Sequence, residues 1–340
     1  TTTGRMVSEG TRGRRRRSLA RAVVCHPRRR RPTGPRAFRA FPGDRWLAHR
    51  LLRPPPMRER AEAVESGPLA PAGIGRPLLI EGQPRLAPAT RDHAWGAVEL
   101  DPETNRLALV ERMLLAGYWT DLGRAKHASV GAFARLALQL LSIGAPPELL
   151  ARVQGAMGDE LRHARLAFAV ASRFRGAPVG AGALPIEGAL DDTGLGPLVL
   201  ELVRGGCLAT TSGSLEAREL HEHVADPALR FVLGEIARDA SDHVVLAWRT
   251  LQWVCDEHEE EARPYLCVEL TRLAAERERL DTASPRFPVR DESLLRAGYA
   301  SALVRRDIHL VALDRVLFGL RALVDKGLPS SDEADRATLV

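Results

Sequence analysis

The chain has 340 residues, 45% of them apolar and 27% charged, with a formal net charge of +6. No apolar run approaches the roughly 18 residues that a membrane-spanning helix needs, so none is expected. The charge is unevenly placed: residues 1–60 hold 18 Arg against Glu9, Asp44 and Glu59, a net of +15, which leaves −9 on residues 61–340.

The amino-terminal sixty residues carry the blocks "GRRRRS" (13–18) and "HPRRRRPTGPR" (26–36) among Pro and Gly. Such blocks repel one another and are expected to form a disordered tail. Nucleic acid or anionic lipid is the functional alternative for a basic tail. No interleaved aromatics or nucleic-acid module accompany it, so a solvated tail is the preferred reading. "SLARAVVC" is too short for a secretory core and is interrupted by Arg21, so a cytoplasmic location is expected. The chain starts at Thr1, which leaves room for a true amino terminus upstream. Residues 61–100 hold Pro, Gly and short apolar pieces such as "RPLLIEG", an irregular arm with one short strand.

From Asp101 the pattern becomes helical. Only three Tyr and eight Phe are present, amid abundant Ala and Leu, which favours helix over sheet. Asp101 with Pro102 reads as a helix start, and a first helix is expected to stop near Gly123. Further helices are expected over 124–143, 147–174, 197–224, 227–259, 262–280 and 291–326, with a Gly/Pro crossover at 176–197. The expected organisation is a four-helix bundle over 101–260, with helices of 261–340 packing on it. Cys25, Cys207, Cys255 and Cys267 lack metal-site spacing and are expected as free thiols.

Four helices carry seams stepping by three and four, the pattern of bundle packing. They run through Lys126 and Phe133, through Glu160 and His163, through Cys207 and Thr210, and through Ala240 and His243. Polar residues thus fall on core-facing places near the middle of all four, where burial is costly unless they are paired or bound to something. Two of the seams share a frame. "GDELRHARLAFA" (158–169) and "RDASDHVVLAWR" (238–249) have Asp second, His sixth, Leu ninth and Ala tenth, but only the first keeps a carboxylate three residues before its His.

Di-iron and di-manganese bundles use one Glu from each of two helices and a Glu-x-x-His from each of the other two. At these positions "KHASVGAFARLALQLLSIGAPPELL" and "DELRHARLAFAVASRF" resemble bacterial ferritin-like-domain proteins of the non-haem di-iron carboxylate type. That family reads E-H-A-S-V, G-C-x-G-E-T and D-E-A-R-H-A-x-L-A-W at the corresponding places. The resemblance covers about 115–255 well and implies an all-α, ferritin-like four-helix bundle with extra flanking helices and an irregular N-terminal arm. It also implies six metal ligands, of which Glu160, His163 and His243 survive. Lys126, Thr210 and Ala240 stand where the other three belong.

The leading expectation is therefore a bundle whose di-iron site has decayed, non-catalytic, with a binding or structural role and no cofactor. The alternatives are a mononuclear oxidoreductase site on Glu160, His163 and His243, with iron or manganese at partial occupancy, and nucleic-acid binding through residues 1–60. Lys126 is expected to fill the vacated place and pair with Glu160, with Thr210 and the histidines accepting its remaining hydrogen bonds. Asp239 and Glu216 are expected to point off the seams. Ser212 and Ser214 lie on a helix without a nucleophile setting. Substrate, partner and oligomeric state are not specified by the sequence.

Overall fold

A computed structural model of the chain describes residues 75–282 and 292–324. The Arg-rich tail, its nucleic-acid alternative and Cys25 lie outside the described residues.

The first long helix, α1, runs unbroken over Leu109–Ser142. This corrects two expectations. Asp101 caps no helix; its carboxylate pairs with Arg173, and α1 starts after Ala108, whose N–H donates to Glu111 at 2.7 Å. Gly123 is not a stop: a Cβ there would lie 2.8 Å from the Phe168 ring, so the glycine lets two helices approach closely. Helix α2 (Pro147–Arg175) begins with Pro in its first turn and ends at Gly176 in the left-handed region, φ 72°.

The crossover follows, and then a helical run in three pieces. These are α3 (Leu195–Glu201), a π-helical segment (Leu202–Ala209) and α4 (Thr210–His223). The wider turns of that segment were not anticipated. Helix α5 (Pro227–Glu257) is capped by Asp226, which accepts from Leu229 N–H at 2.9 Å and also from Glu103 N–H at 2.7 Å. Helix α6 (Glu259–Thr282) follows almost at once, and the expected 291–326 helix is split into α7 (Glu292–Arg296) and α8 (Ala302–Val324) at Gly298, φ 81°.

Helix α1 packs along α2 and α4 along α5, each pair joined by a short connection and therefore antiparallel, and α2 meets α5 between them. Helices α6 and α8 pair with each other and cover α3, the π segment and α4. The described chain is thus mostly helical, built from packed helix pairs around one large apolar core that includes Trp119, Phe168 and Phe174. Cys207 is buried there, while Cys255 is half-buried and Cys267 exposed; all three are free thiols. No described helix is long and apolar enough to cross a membrane.

The arm holds more strand than expected. A hairpin joins β1 (Leu79–Ile80) to β2 (Gln83–Pro84) across Glu81 and Gly82, both at positive φ, and β3 (Ala89–Thr90) pairs with β4 (Gly180–Ala181) of the crossover. Polar side chains of α1 tie the arm down. Arg124 donates to the Ala87 carbonyl at 2.7 Å, Ser129 to that of Arg76 at 2.7 Å and Arg135 to that of Leu79 at 2.6 Å. Arg76, itself buried, pairs with the buried Glu201 at 3.2 Å, and Gly206 leaves the room its guanidinium needs.

Candidate functional site

The interface between the packed helix pairs gathers the residues marked by the seams. Lys126 Nζ donates to Glu160 Oε1 at 3.0 Å, and both side chains are 1% exposed. Lys126 is one of only two lysines among 49 basic residues, the other being Lys326. Where nearly every cation is an arginine, the core position holds the compact ammonium, a point charge on a flexible stem rather than a planar fork.

His243 Nδ1 lies 3.3 Å from the same Glu160 oxygen and His163 Nδ1 lies 3.8 Å from it. Each ring turns its other nitrogen outward to an aspartate on the opposite helix. His163 Nε2 donates to Asp239 Oδ2 at 2.9 Å, and His243 Nε2 donates to Asp159 Oδ2 at 3.1 Å. Asp159 and Asp239 are the shared second residues of the repeated frame, so the frame encodes a crossed pair: each helix supplies the histidine that its neighbour's aspartate accepts from. Arg162, at the surface edge, donates to both aspartates.

Asp239 therefore corrects the expectation that it points off the seam. Its place on α5 is one position off the seam, but its carboxylate reaches across to α2. Thr210 is a second correction. Its hydroxyl donates to the Gly205 carbonyl at 3.0 Å, five residues back, as the wider turns of the π segment permit, and it accepts nothing from Lys126. The histidines likewise face carboxylates rather than the ammonium. Ala240 is buried and adds no polar atom.

The electrostatics follow from this wiring. Burial alone would raise Glu160, but the Lys126 ammonium and the two histidines hold its carboxyl well below the usual range. Burial also opposes the charged form of His243, and the carboxylates of Asp159 and Glu160 prevail and raise it. Asp159 is lowered chiefly by its hydrogen bond from His243; Asp239 is lowered by His163 and Arg162 against the effect of burial. The layer thus joins the carboxylates of Glu160, Asp159 and Asp239 to Lys126, Arg162 and two imidazoles, all supplied by the chain. The donor set does not fit a two-metal centre, because Glu160 is the single carboxylate that reaches the middle and an ammonium stands beside it. Among the described residues, no three His, Cys, Asp or Glu are arranged to hold a metal ion.

Gly75 closes the arm over this layer at φ 141°. A Cβ on it would lie 2.8 Å from Ser129 Oγ and 3.5 Å from both Lys126 Nζ and Glu160 Oε2. Phe133 stands edge-on to His243 at 5.5 Å and carries the Arg76 guanidinium on its face at 5.6 Å.

Beside the layer, on the side of α4, α6 and α8, lies a largely apolar cavity of about 470 Å³ whose wall includes Gly75, Ala125 and Ala128 next to Lys126. Two polar residues in its wall, His309 and Glu276, went unread in the sequence. Ser212 Oγ is 3.3 Å from His309 Nδ1, and His309 Nε2 donates to Glu276 Oε1 at 3.0 Å. The absence of a nucleophile setting for Ser212 is corrected to that extent, since hydroxyl, imidazole and carboxylate are in the right order and reach. Ser212, however, lies inside a helix that takes up the neighbouring backbone N–H groups, so no pair of them is left to stabilise an oxyanion. Glu216, one turn beyond Ser212, is buried and accepts from Tyr118 Oη at 2.8 Å. Burial pushes its carboxyl up to about 7, against the pull of Arg305 and Tyr118. No short-range signal announces these groups: they come from α1, α4, α6 and α8, and only packing unites them.

Comparison with known proteins adds no relative: no family model, no curated protein and no solved structure matches the chain.

Proposed function

We propose that this chain is a ferritin-like bundle protein in which an internal ammonium–carboxylate pair has replaced a di-metal centre, leaving a non-catalytic protein with a binding or structural role. The observation that carries the reading is the 3.0 Å contact between Lys126 Nζ and Glu160 Oε1, both buried. The surroundings support a metal-centre ancestry. Histidines that ligate metals present one ring nitrogen to the ion and donate the other N–H to a carboxylate. His163 and His243 keep that wiring, with Nδ1 turned inward and Nε2 on an aspartate. Charge supports the loss: two divalent cations are balanced by four carboxylates in such centres, and here one carboxylate faces a fixed positive charge.

A single divalent ion on Glu160, His163 and His243 is the second reading, favoured by the convergence of both Nδ1 atoms on one carboxylate oxygen. The Lys126 ammonium, already on that oxygen, opposes it. Elemental analysis of protein expressed with iron and manganese decides between them. The expected metal content is well below two ions per chain. Two ions per chain would end the proposal. One ion per chain, lost in His243→Ala, would establish the second reading. In the triple variant Lys126→Glu, Thr210→Glu, Ala240→Glu, two-metal binding is expected to return.

A further inference from the structure

We infer that the cavity beside the central layer binds an apolar carboxylic acid of the fatty-acid type, with Arg305 as the anchor of its carboxylate. The inference deepens the binding role proposed above and rests on it. Its volume of about 470 Å³ falls in the range of small-molecule sites, about 300–1,000 Å³. Most of the wall is hydrocarbon, from Pro77 and Leu79 of the arm, Leu208 of the π segment, and Leu280 and Ile308 of the outer helices. An alkyl chain is the occupant that such a surface accepts, and a few convergent polar groups fix where its polar end goes.

Those groups select an anion. Arg305 is half-buried in the wall, with its guanidinium over the Tyr118 ring at 5.8 Å and a buried Nε–H that has no hydrogen-bond partner among the described residues. A buried guanidinium N–H without an acceptor is costly, and a carboxylate is the group that matches its fork. The two carboxylates of the wall do not serve. Glu276 is engaged by His309 at 3.0 Å and by Arg272 at 3.0 Å. Glu216 is bound to Tyr118 and forms no ion pair among the described residues. Arg204 is committed to Glu269 at 3.0 Å through Nε. One turn along α8 from Arg305, beside His309, the Ser212 hydroxyl stands on the same wall, and its proton, turned from His309 Nδ1, can be donated to the second oxygen of the head group.

The test uses the full chain and dodecanoate, with dodecanol and dodecyltrimethylammonium as chain-matched probes of neutral and positive head, each followed by calorimetry. Dodecanoate is expected to bind at least about tenfold tighter than either. Arg305→Met, which keeps a long apolar stem but cannot donate, is expected to remove that preference, bringing dodecanoate affinity down to that of dodecanol. Leu208→Trp, which fills the cavity, is expected to abolish binding of all three. Both variants are first checked for wild-type helicity and cooperative unfolding. Equal affinity of wild-type protein for dodecanoate and dodecanol would overturn the inference without recourse to any variant. So would undiminished dodecanoate preference in folded Arg305→Met. Metal content, measured on the same protein, is an independent readout: dodecanoate binding by a two-metal protein would defeat the functional proposal alone, and a metal-free protein indifferent to dodecanoate would defeat this inference alone.

Discussion

Glu160 on α2 and Glu216 on α4 are two buried glutamates of one protein interior, and their surroundings send them in opposite directions. Glu160 meets an ammonium at 3.0 Å and two imidazoles, and is held as an anion. Glu216 meets a phenol, with Arg305 too distant to form an ion pair, and its carboxyl is pushed up to about 7. The same side chain at the same depth is thus anion or near-neutral acid according to whether a full positive charge stands in contact with it. Their effects on stability have opposite signs. Glu160, Asp159 and Asp239 are depressed, so their contribution is complete above the ordinary carboxylate range and is lost as pH falls through their folded values. Glu216 is raised. Its proton is retained in the folded state while the unfolded chain has lost it, so stability falls as pH climbs from about 4.5 to about 7.

The contrast breaks most sharply at Lys126. Lys126→Met leaves Glu160 buried without its cation and is expected to cost roughly 3–5 kcal/mol in chemical denaturation near neutral pH. Adding Glu160→Gln is expected to recover much of that loss, because both charges are then gone. A single Lys126→Met as stable as the parent would show that the pair contributes little. Removing the other charge tests the opposite sign. Glu216→Gln keeps an oxygen to accept from Tyr118 but cannot ionise, and is expected to stabilise the protein at pH 8 by about 2–3 kcal/mol relative to pH 5. If the variant and parent differ by the same amount at both values, Glu216 titrates as an ordinary carboxylate. The smallest effect belongs to the crossed pairs. Asp239→Asn weakens one anionic partner of His163 and one of Arg162, at an expected cost of about 1–2 kcal/mol, with the loss growing at low salt as surface-edge Arg162 becomes less screened. Asp159→Asn, at the matching place for His243, is expected to give a loss of similar size.

The features legible in the sequence were those that one helix displays by itself. Glu160, His163 and Lys126 stand on three-and-four seams, and charge at a core place demands a partner, so the Lys126–Glu160 contact followed from spacing and sign. Asp159 and Asp239 were missed because each sits one position off its seam, and helical spacing does not tell how far a side chain leans toward the next helix. Gly123 was misread because a glycine inside a helical pattern marks either a stop or a close approach, and only the Phe168 ring across the interface distinguishes them. Thr210 was misassigned because the π segment changes the residues per turn just before it, a change signalled by nothing more than Gly205 and Gly206. The Ser212, Glu276 and His309 group was beyond reach, since the three lie on α4, α6 and α8 and are far apart along the chain.

The cation paired with Glu160 is part of the polypeptide, and that changes the kind of stabilisation it supplies. A bound ion stabilises a fold by mass action, through a contribution that rises and falls with the free-ion concentration and that a chelator withdraws. The Lys126 ammonium is delivered with the chain, one per molecule, at a local concentration fixed by the length of its own stem. The contact between Lys126 and Glu160 is therefore made within one molecule, and its contribution does not depend on the concentration of any free ion.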